Sequence, residues 1–152
     1  ADRGGIRNVA FYDANGNINV GDMASPSVGR RFFVQFPDPC FKKRQRKRRI
    51  LRRAHVRTMA ELLPLGGEVF LQADVKPLAE EMYDMMAADG SFKAHGPELD
   101  YAKPFTAMTE WERQHERESE PIYRMSFIKE REPLGPIPEF ELRDTNPKTL
   151  EA

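Results

Sequence analysis

The sequence predicts an α/β fold, and three observations carry that prediction. Four short runs, at Ile6–Phe11, Phe32–Phe36, Glu68–Ala73 and Ile122–Ile128, have strand length and apolar or aromatic character. Helical periodicity fills the gaps between the later runs. Gly, Pro and Asn punctuate the junctions. Strands alternating with helices give a sheet with helices packed on it.

Each element has its own justification. Ile6–Phe11 reads as a strand, closed by the turn residues Asp13, Asn15, Gly16 and Asn17. Residues 21–31 are rich in Gly, Ser and Pro and read as a loop. Phe32–Phe36 is a compact apolar run of the type buried in parallel sheets, ended by Pro37 and Pro39. From about Arg48 to Leu63 the pattern turns helical. Leu51, His55, Met59 and Leu62 share one face, and Arg52, Arg53 and Arg57 lie opposite. Pro64-Leu65-Gly66-Gly67 stops that helix. Glu68–Ala73 is the next strand. A helix from Lys76 or Pro77 to Ala88 follows, with Leu78, Met82, Met85 and Met86 inward and Gly90 beyond its end. Residues 93–108 read as irregular. Thr109 to about Glu118 reads as a short polar helix, and Ile122–Ile128 as the last strand. Beyond Glu132 the chain is Pro-rich with few core residues and reads as a poorly ordered tail, so the organisation is a domain over 1–131 and a tail over 132–152.

The overall charge balance is zero, yet the charges are segregated. Residues 1–57 hold 14 Lys and Arg against 4 Asp and Glu, and the remainder is acidic by the same margin. The cations concentrate between Lys42 and Arg57, a local patch that attracts phosphate backbones. No apolar run approaches the roughly 18 residues of a membrane span, so no membrane partner is expected. The single cysteine, Cys40, excludes an internal disulfide, and no Cys/His cluster has metal-ligand spacing. A cytoplasmic site is expected, with nucleus or organelle open for a eukaryotic source.

The segment Gln35-Phe36-Pro37-Asp38-Pro39-Cys40-Phe41-Lys42-Lys43, running into Arg44-Gln45-Arg46-Lys47-Arg48-Arg49, sets an acid on a stiff turn at a strand end, beside a dense cationic run. Ligands of α/β sheets bind outside the carboxyl ends of the strands. Asn15, Asp38 and Asp74 each follow a strand, which points to one shared cleft. Blander readings stand beside this one. Asp38 and Asn15 suit simple turns, and Asp74 suits a helix N-cap. Thr109-x-x-Glu112 fits a capping box. A basic run is often a solvated face. Trp111 suits packing, His55 a packed core histidine, and Cys40 a small buried residue. His95 and His115 have no identifiable partner in the sequence.

The same segment resembles the signature of the tRNA (guanine-N7-)-methyltransferase family, a Phe-Pro-Asp-Pro-Trp-Phe-Lys-Lys-Arg-His pattern followed by Lys-Arg-Arg. Leu63 to Asp74, Thr109-Glu110-Trp111-Glu112, Pro121-Ile122-Tyr123-Arg124 and Asn8 to Phe11 with Asn15 and Asn17 resemble further family segments in the same order, over about residues 6–131. Cys40 stands where Trp is usual, Ala73 where a small hydroxyl residue is, and Gln45 where His is common.

The resemblance implies a Rossmann-like class I methyltransferase sheet and S-adenosylmethionine as cofactor. It implies tRNA as partner, with N7 of a variable-loop guanine as methyl acceptor. Whether a partner subunit or a homo-oligomer is needed stays open. Asp38 matches the catalytic position and also lies near the cofactor. Asn15 matches the adenosine contact. Lys42, Asp74, Thr109, Glu110, Trp111 and Glu112 match substrate-binding positions. Arg44, Lys47, Arg48, Arg49, Arg52 and Arg53 match contacts to tRNA phosphates. The first strands of that fold and its Gly-rich cofactor turn have no counterpart here. The chain is therefore expected to be an N-terminally truncated fragment, marginally stable and inactive alone, with one edge of the Phe32–Phe36 strand bare. An inactive RNA-binding module or an interaction subunit is the alternative.

Overall fold

The structure, a computed structural model, describes residues 29–140 together with Val9, Asp13, 20–22, Ser25 and Pro26. Asn15 and, Val9 apart, the expected strand Ile6–Phe11 lie outside the described residues. Four strands form one mixed sheet: β1 (Arg31–Gln35), β2 (Glu68–Ala73), β3 (Phe92–Ala94) and β4 (Tyr123–Lys129), in the order β1-β2-β4-β3. The helices α1 (Arg53–Leu62), α2 (Lys76–Ala88) and α3 (Glu110–Glu118) accompany them among the described residues.

β1 and β2 are parallel, with Arg31 opposite Glu68 and Gln35 opposite Gln72. α1 is the crossover that parallel neighbours require. β4 runs antiparallel to β2, with Ala73 opposite Tyr123, and antiparallel to β3. β2 is buried along its whole length, with the polar Glu68 and Gln72 enclosed on either side of the apolar Val69-Phe70-Leu71. The core joins Val69, Leu71 and Ala73 of β2 and Met125 and Phe127 of β4 to Val56, Met59 and Ala60 of α1 and to Leu78, Met82 and Met86 of α2. The other sheet face is aromatic: Phe70 packs edge-on to Phe33 and to Phe105, at centroid separations of 6.0 and 5.3 Å.

Three expectations are revised. β1 is not a fully buried strand: its residues alternate between exposed and half-buried, and Phe33 is 48% exposed. Among the described residues it pairs only with β2, so it is a sheet edge. The helix expected from Arg48 begins at Arg53. Arg48 instead ends a 3-10 turn, Lys43–Arg48, and an extended link follows in which Arg49 and Leu51 turn inward. The supposedly irregular stretch contains β3, stabilised by pairing with β4 rather than by its own pattern. From Pro133 to Phe140 the chain crosses α1. Arg57 donates to the carbonyls of Gly135 and Pro136, Arg53 donates to that of Pro138, and Phe140 packs against the core.

Candidate functional site

The chain leaves β1 through a turn with little freedom. Phe36 N–H donates to the Gln72 carbonyl at 2.8 Å, extending the parallel ladder by one step. Phe36 and Cys40 both have left-handed backbones, with φ of 47° and 46°, a strained setting for residues other than glycine. Pro37 and Pro39 fix two further angles. Between them, Asp38 Oδ1 accepts from Cys40 N–H at 2.8 Å, so the turn reading and the site reading coexist. Asp38 stays exposed and borders a cavity of about 340 Å³ with Gln35, Pro37, Arg48 and Ile50. Burial, and then the nearby Asp38 charge, push the Cys40 thiol above its ordinary value.

The cationic run divides between surface and interior. Lys42, Arg44, Lys47 and Arg48 are exposed. Arg49 departs from the expected phosphate-facing role: it is 2% exposed, bonds Glu81 and donates through Nε to the Pro39 carbonyl at 2.9 Å. It anchors the turn from inside. Arg52 and Arg53 are half-buried, and Arg53 reaches the strap over α1.

At the carboxyl end of β2, Asp74 meets α3. Trp111 Nε1–H donates to Asp74 Oδ2 at 3.2 Å, and His115 Nε2 lies 3.5 Å from the same oxygen. The α3 start is a complete capping box: Thr109 Oγ1 accepts from Glu112 N–H at 3.1 Å, and Glu112 Oε2 accepts from Thr109 N–H at 2.9 Å. Glu112 is buried, and its Oε1 also accepts from Lys103 at 2.9 Å and Arg124 at 3.2 Å. Burial opposes its charge. The bonds from Lys103, Thr109 and Arg124 outweigh that and hold its carboxyl at about 2. Glu110 is exposed, and hydrogen bonds from Arg113 and then Arg117 lower its carboxyl. Trp111 is 47% exposed, so it pairs with Asp74 without being buried.

Asp74, Thr109, Trp111 and Glu112 thus form one group around the α3 start. The Asp38 turn joins it through Phe36, whose ring stacks on His115 at 5.8 Å. His115, for which no partner was identifiable from sequence, is buried at the centre of the group. Its spacing of four from Trp111 was the available signal, since such residues share a helix face. His95, the other unassigned histidine, lies against the Tyr101 ring at 5.6 Å.

A family model described as "Putative methyltransferase" matches residues 1–125. The chain belongs to this family. Curated relatives called tRNA (guanine-N(7)-)-methyltransferase are similar to it. The protein from Thermosynechococcus vestitus is 35% identical over 126 residues, covering 83% of this chain and 59% of the relative. That from Synechococcus sp. strain JA-3-3Ab is 43% identical over 122 residues, covering 79% and 51%. The chain spans between half and three-fifths of the length of these relatives. The mixed α/β sheet fits the class I methyltransferase fold.

Two residues that depart from the family signature are both buried. Cys40 closes the turn from below, and Ala73 ends β2 opposite Tyr123. Neither carries a polar group that reaches the cavity beside Asp38. Among the described residues no helix is long and apolar enough to cross a membrane.

Proposed function

We propose that residues 1–131 form part of a methyltransferase domain that moves a methyl group from S-adenosylmethionine to N7 of guanine in tRNA. The observation that carries this is the exposed Asp38 carboxylate, held on a rigid turn at the carboxyl end of β1, between a cavity and an outward-facing cationic turn. The relatives' names supply the reaction and the RNA class.

Guanine N7 bears a lone pair and no proton, so the reaction needs placement rather than a strong base. S-adenosylmethionine, when bound, supplies an electrophilic methyl on a cationic sulfur. An exposed carboxylate fits such a cation, so Asp38, with Asn15 for the adenosine part, would hold it. Asp74 is suited to accept from the N1–H and N2–H₂ edge of guanine, donors that adenine lacks in that pattern. Trp111 and Thr109 line the approach to that edge. Lys42, Arg44, Lys47 and Arg48 face solvent and suit tRNA phosphates, contacts that orient the RNA without reading its sequence. Arg49 and Glu112 support this surface from within.

The test is methyl transfer from labelled S-adenosylmethionine to unmodified tRNA, read as 7-methylguanosine after digestion, with the longest polypeptide that carries this chain. Asp38→Ala is expected to lower transfer by at least about 100-fold. Its tRNA affinity is expected to stay within about twofold, because phosphate contacts dominate affinity. Loss of tRNA binding in step with activity would make Asp38 a structural residue. Absence of 7-methylguanosine with the unaltered protein would overturn the reading.

A further inference from the structure

His115 touches both strand ends of the candidate site, Phe36 after β1 and Asp74 after β2. It sits on the buried face of α3, one turn after Trp111. Its Nδ1 is 3.0 Å from the Trp111 carbonyl oxygen, an acceptor with no proton to give, so Nδ1–H is the donor. Nε2 lies 3.2 Å from Glu120 Oε2 and 3.5 Å from Asp74 Oδ2. Nε2 thus faces two carboxylates, Glu120 the nearer and Asp74 the one at the strand end.

The surroundings leave the ring little room to turn. Phe36 stacks on it with planes 29° apart, and the Trp111 ring lies 5.1 Å away. Ser119, left-handed at φ 56°, ends α3 and turns the chain back. Glu120 N–H then donates to the His115 carbonyl at 2.9 Å, and the Glu120 side chain returns to the ring. Phe36 is itself bonded to Gln72, two residues before Asp74, and lies two residues before Asp38. One imidazole therefore connects the Asp38 turn, the Asp74 carboxylate and α3.

We propose that His115 is a positioning residue for Asp74. With Trp111 Nε1 it pins Oδ2, so that the second oxygen, Oδ1, is presented in one orientation to the guanine edge. Its face meanwhile braces Phe36 and hence the approach to Asp38. The assignment of guanine to Asp74 rests on the proposed function; the pinning of Asp74 does not.

Two variants separate the bond from the packing. His115→Phe keeps a ring to stack on Phe36 and Trp111 but removes both nitrogens. His115→Gln keeps a donor that reaches toward Asp74. In the active protein, His115→Phe is expected to lower kcat/KM for tRNA about tenfold, with tRNA affinity within about twofold. His115→Gln is expected to recover most of that loss. Added to Asp74→Asn, His115→Phe is expected to cost nothing further, since residues acting through one contact are not additive.

The second arm uses the chain itself. Trp111 is its only tryptophan, so its indole N–H gives a single NMR signal. Hydrogen exchange of that N–H is expected to quicken at least about fivefold in His115→Phe and to stay near the unaltered rate in His115→Gln. If His115→Phe does not fold, His115→Asn, polar but too short to reach Asp74, replaces it in both arms. Unchanged indole exchange overturns the inference, as does an additive double variant or an unchanged kcat/KM. Should the unaltered protein methylate no guanine, the functional reading fails, and the exchange arm alone decides whether His115 holds Asp74.

Discussion

Arg49 places Nη1 2.6 Å from both carboxylate oxygens of Glu81, with both side chains withdrawn from water. This pair fastens the cationic turn to α2. Removing one member of such a pair strands the other charge in a poor solvent. Arg49→Met is expected to cost roughly 3–5 kcal/mol, whereas Arg49→Met combined with Glu81→Leu recovers most of it. Urea unfolding of the single and double variants checks this. Equal loss in both would show that packing, not charge, is at stake.

The exposed cations are expected to act on RNA affinity and not on folding. Lys47→Ala and Arg44→Ala should each lower the slope of log affinity against log salt by about one, with unfolding midpoints unchanged. Filter binding of tRNA across a salt series measures the slope. A slope that does not move removes that residue from the RNA contact surface.

Glu112 links stability to acid. Its folded value, about 2, lies below the ordinary 4.5. A carboxyl lowered by folding stabilises fully above its unfolded value and loses that contribution as pH falls through the folded one. Stability is therefore expected to drop between about pH 4.5 and pH 2 by on the order of 3 kcal/mol from this group. Glu112→Gln should flatten that part of the profile. A parallel profile in the variant would assign the acid sensitivity elsewhere.

Cys40 is expected to alkylate slowly. Burial and the Asp38 charge both keep its thiol protonated, and the thiolate is the reactive form. Iodoacetamide at mildly alkaline pH should modify it more slowly than a free thiol, faster in Asp38→Asn, and at the ordinary rate in urea. Fast reaction of the folded chain would contradict the buried turn.

Ser119 occupies a backbone region that suits glycine. Ser119→Gly is expected to raise stability by about 0.5–1 kcal/mol, seen as a higher Tm. A lower Tm would mean that the serine side chain contributes more than the strain costs.

The legible parts of the fold were those with strong local signals. Glu68–Ala73 reads as a strand because apolar Val69-Phe70-Leu71 follows the breakers Gly66 and Gly67, and the observed limits coincide. α2 and the capping box of α3 follow from spacing and turn chemistry in the same way. Tertiary partners decided the rest. Arg49 looks like its cationic neighbours until Glu81, 32 residues later, takes it inward and delays α1. β3 has no strand pattern of its own and exists through β4. In the site, Asp38 and Asp74 could be placed at strand ends from the sequence. The meeting of Asp74 with Trp111 and His115 spans about forty residues and is a product of packing.

The segment from Phe36 to Cys40 is set before anything binds to it. Two prolines, two left-handed residues and one side-chain bond leave its backbone few alternatives. Ordering a loose residue costs roughly 1–2 kcal/mol in lost conformational freedom, and here that cost falls at folding. A molecule that meets Asp38 is therefore spared the cost of ordering this turn, though not that of its own immobilisation, and specificity here comes from fit to a fixed shape.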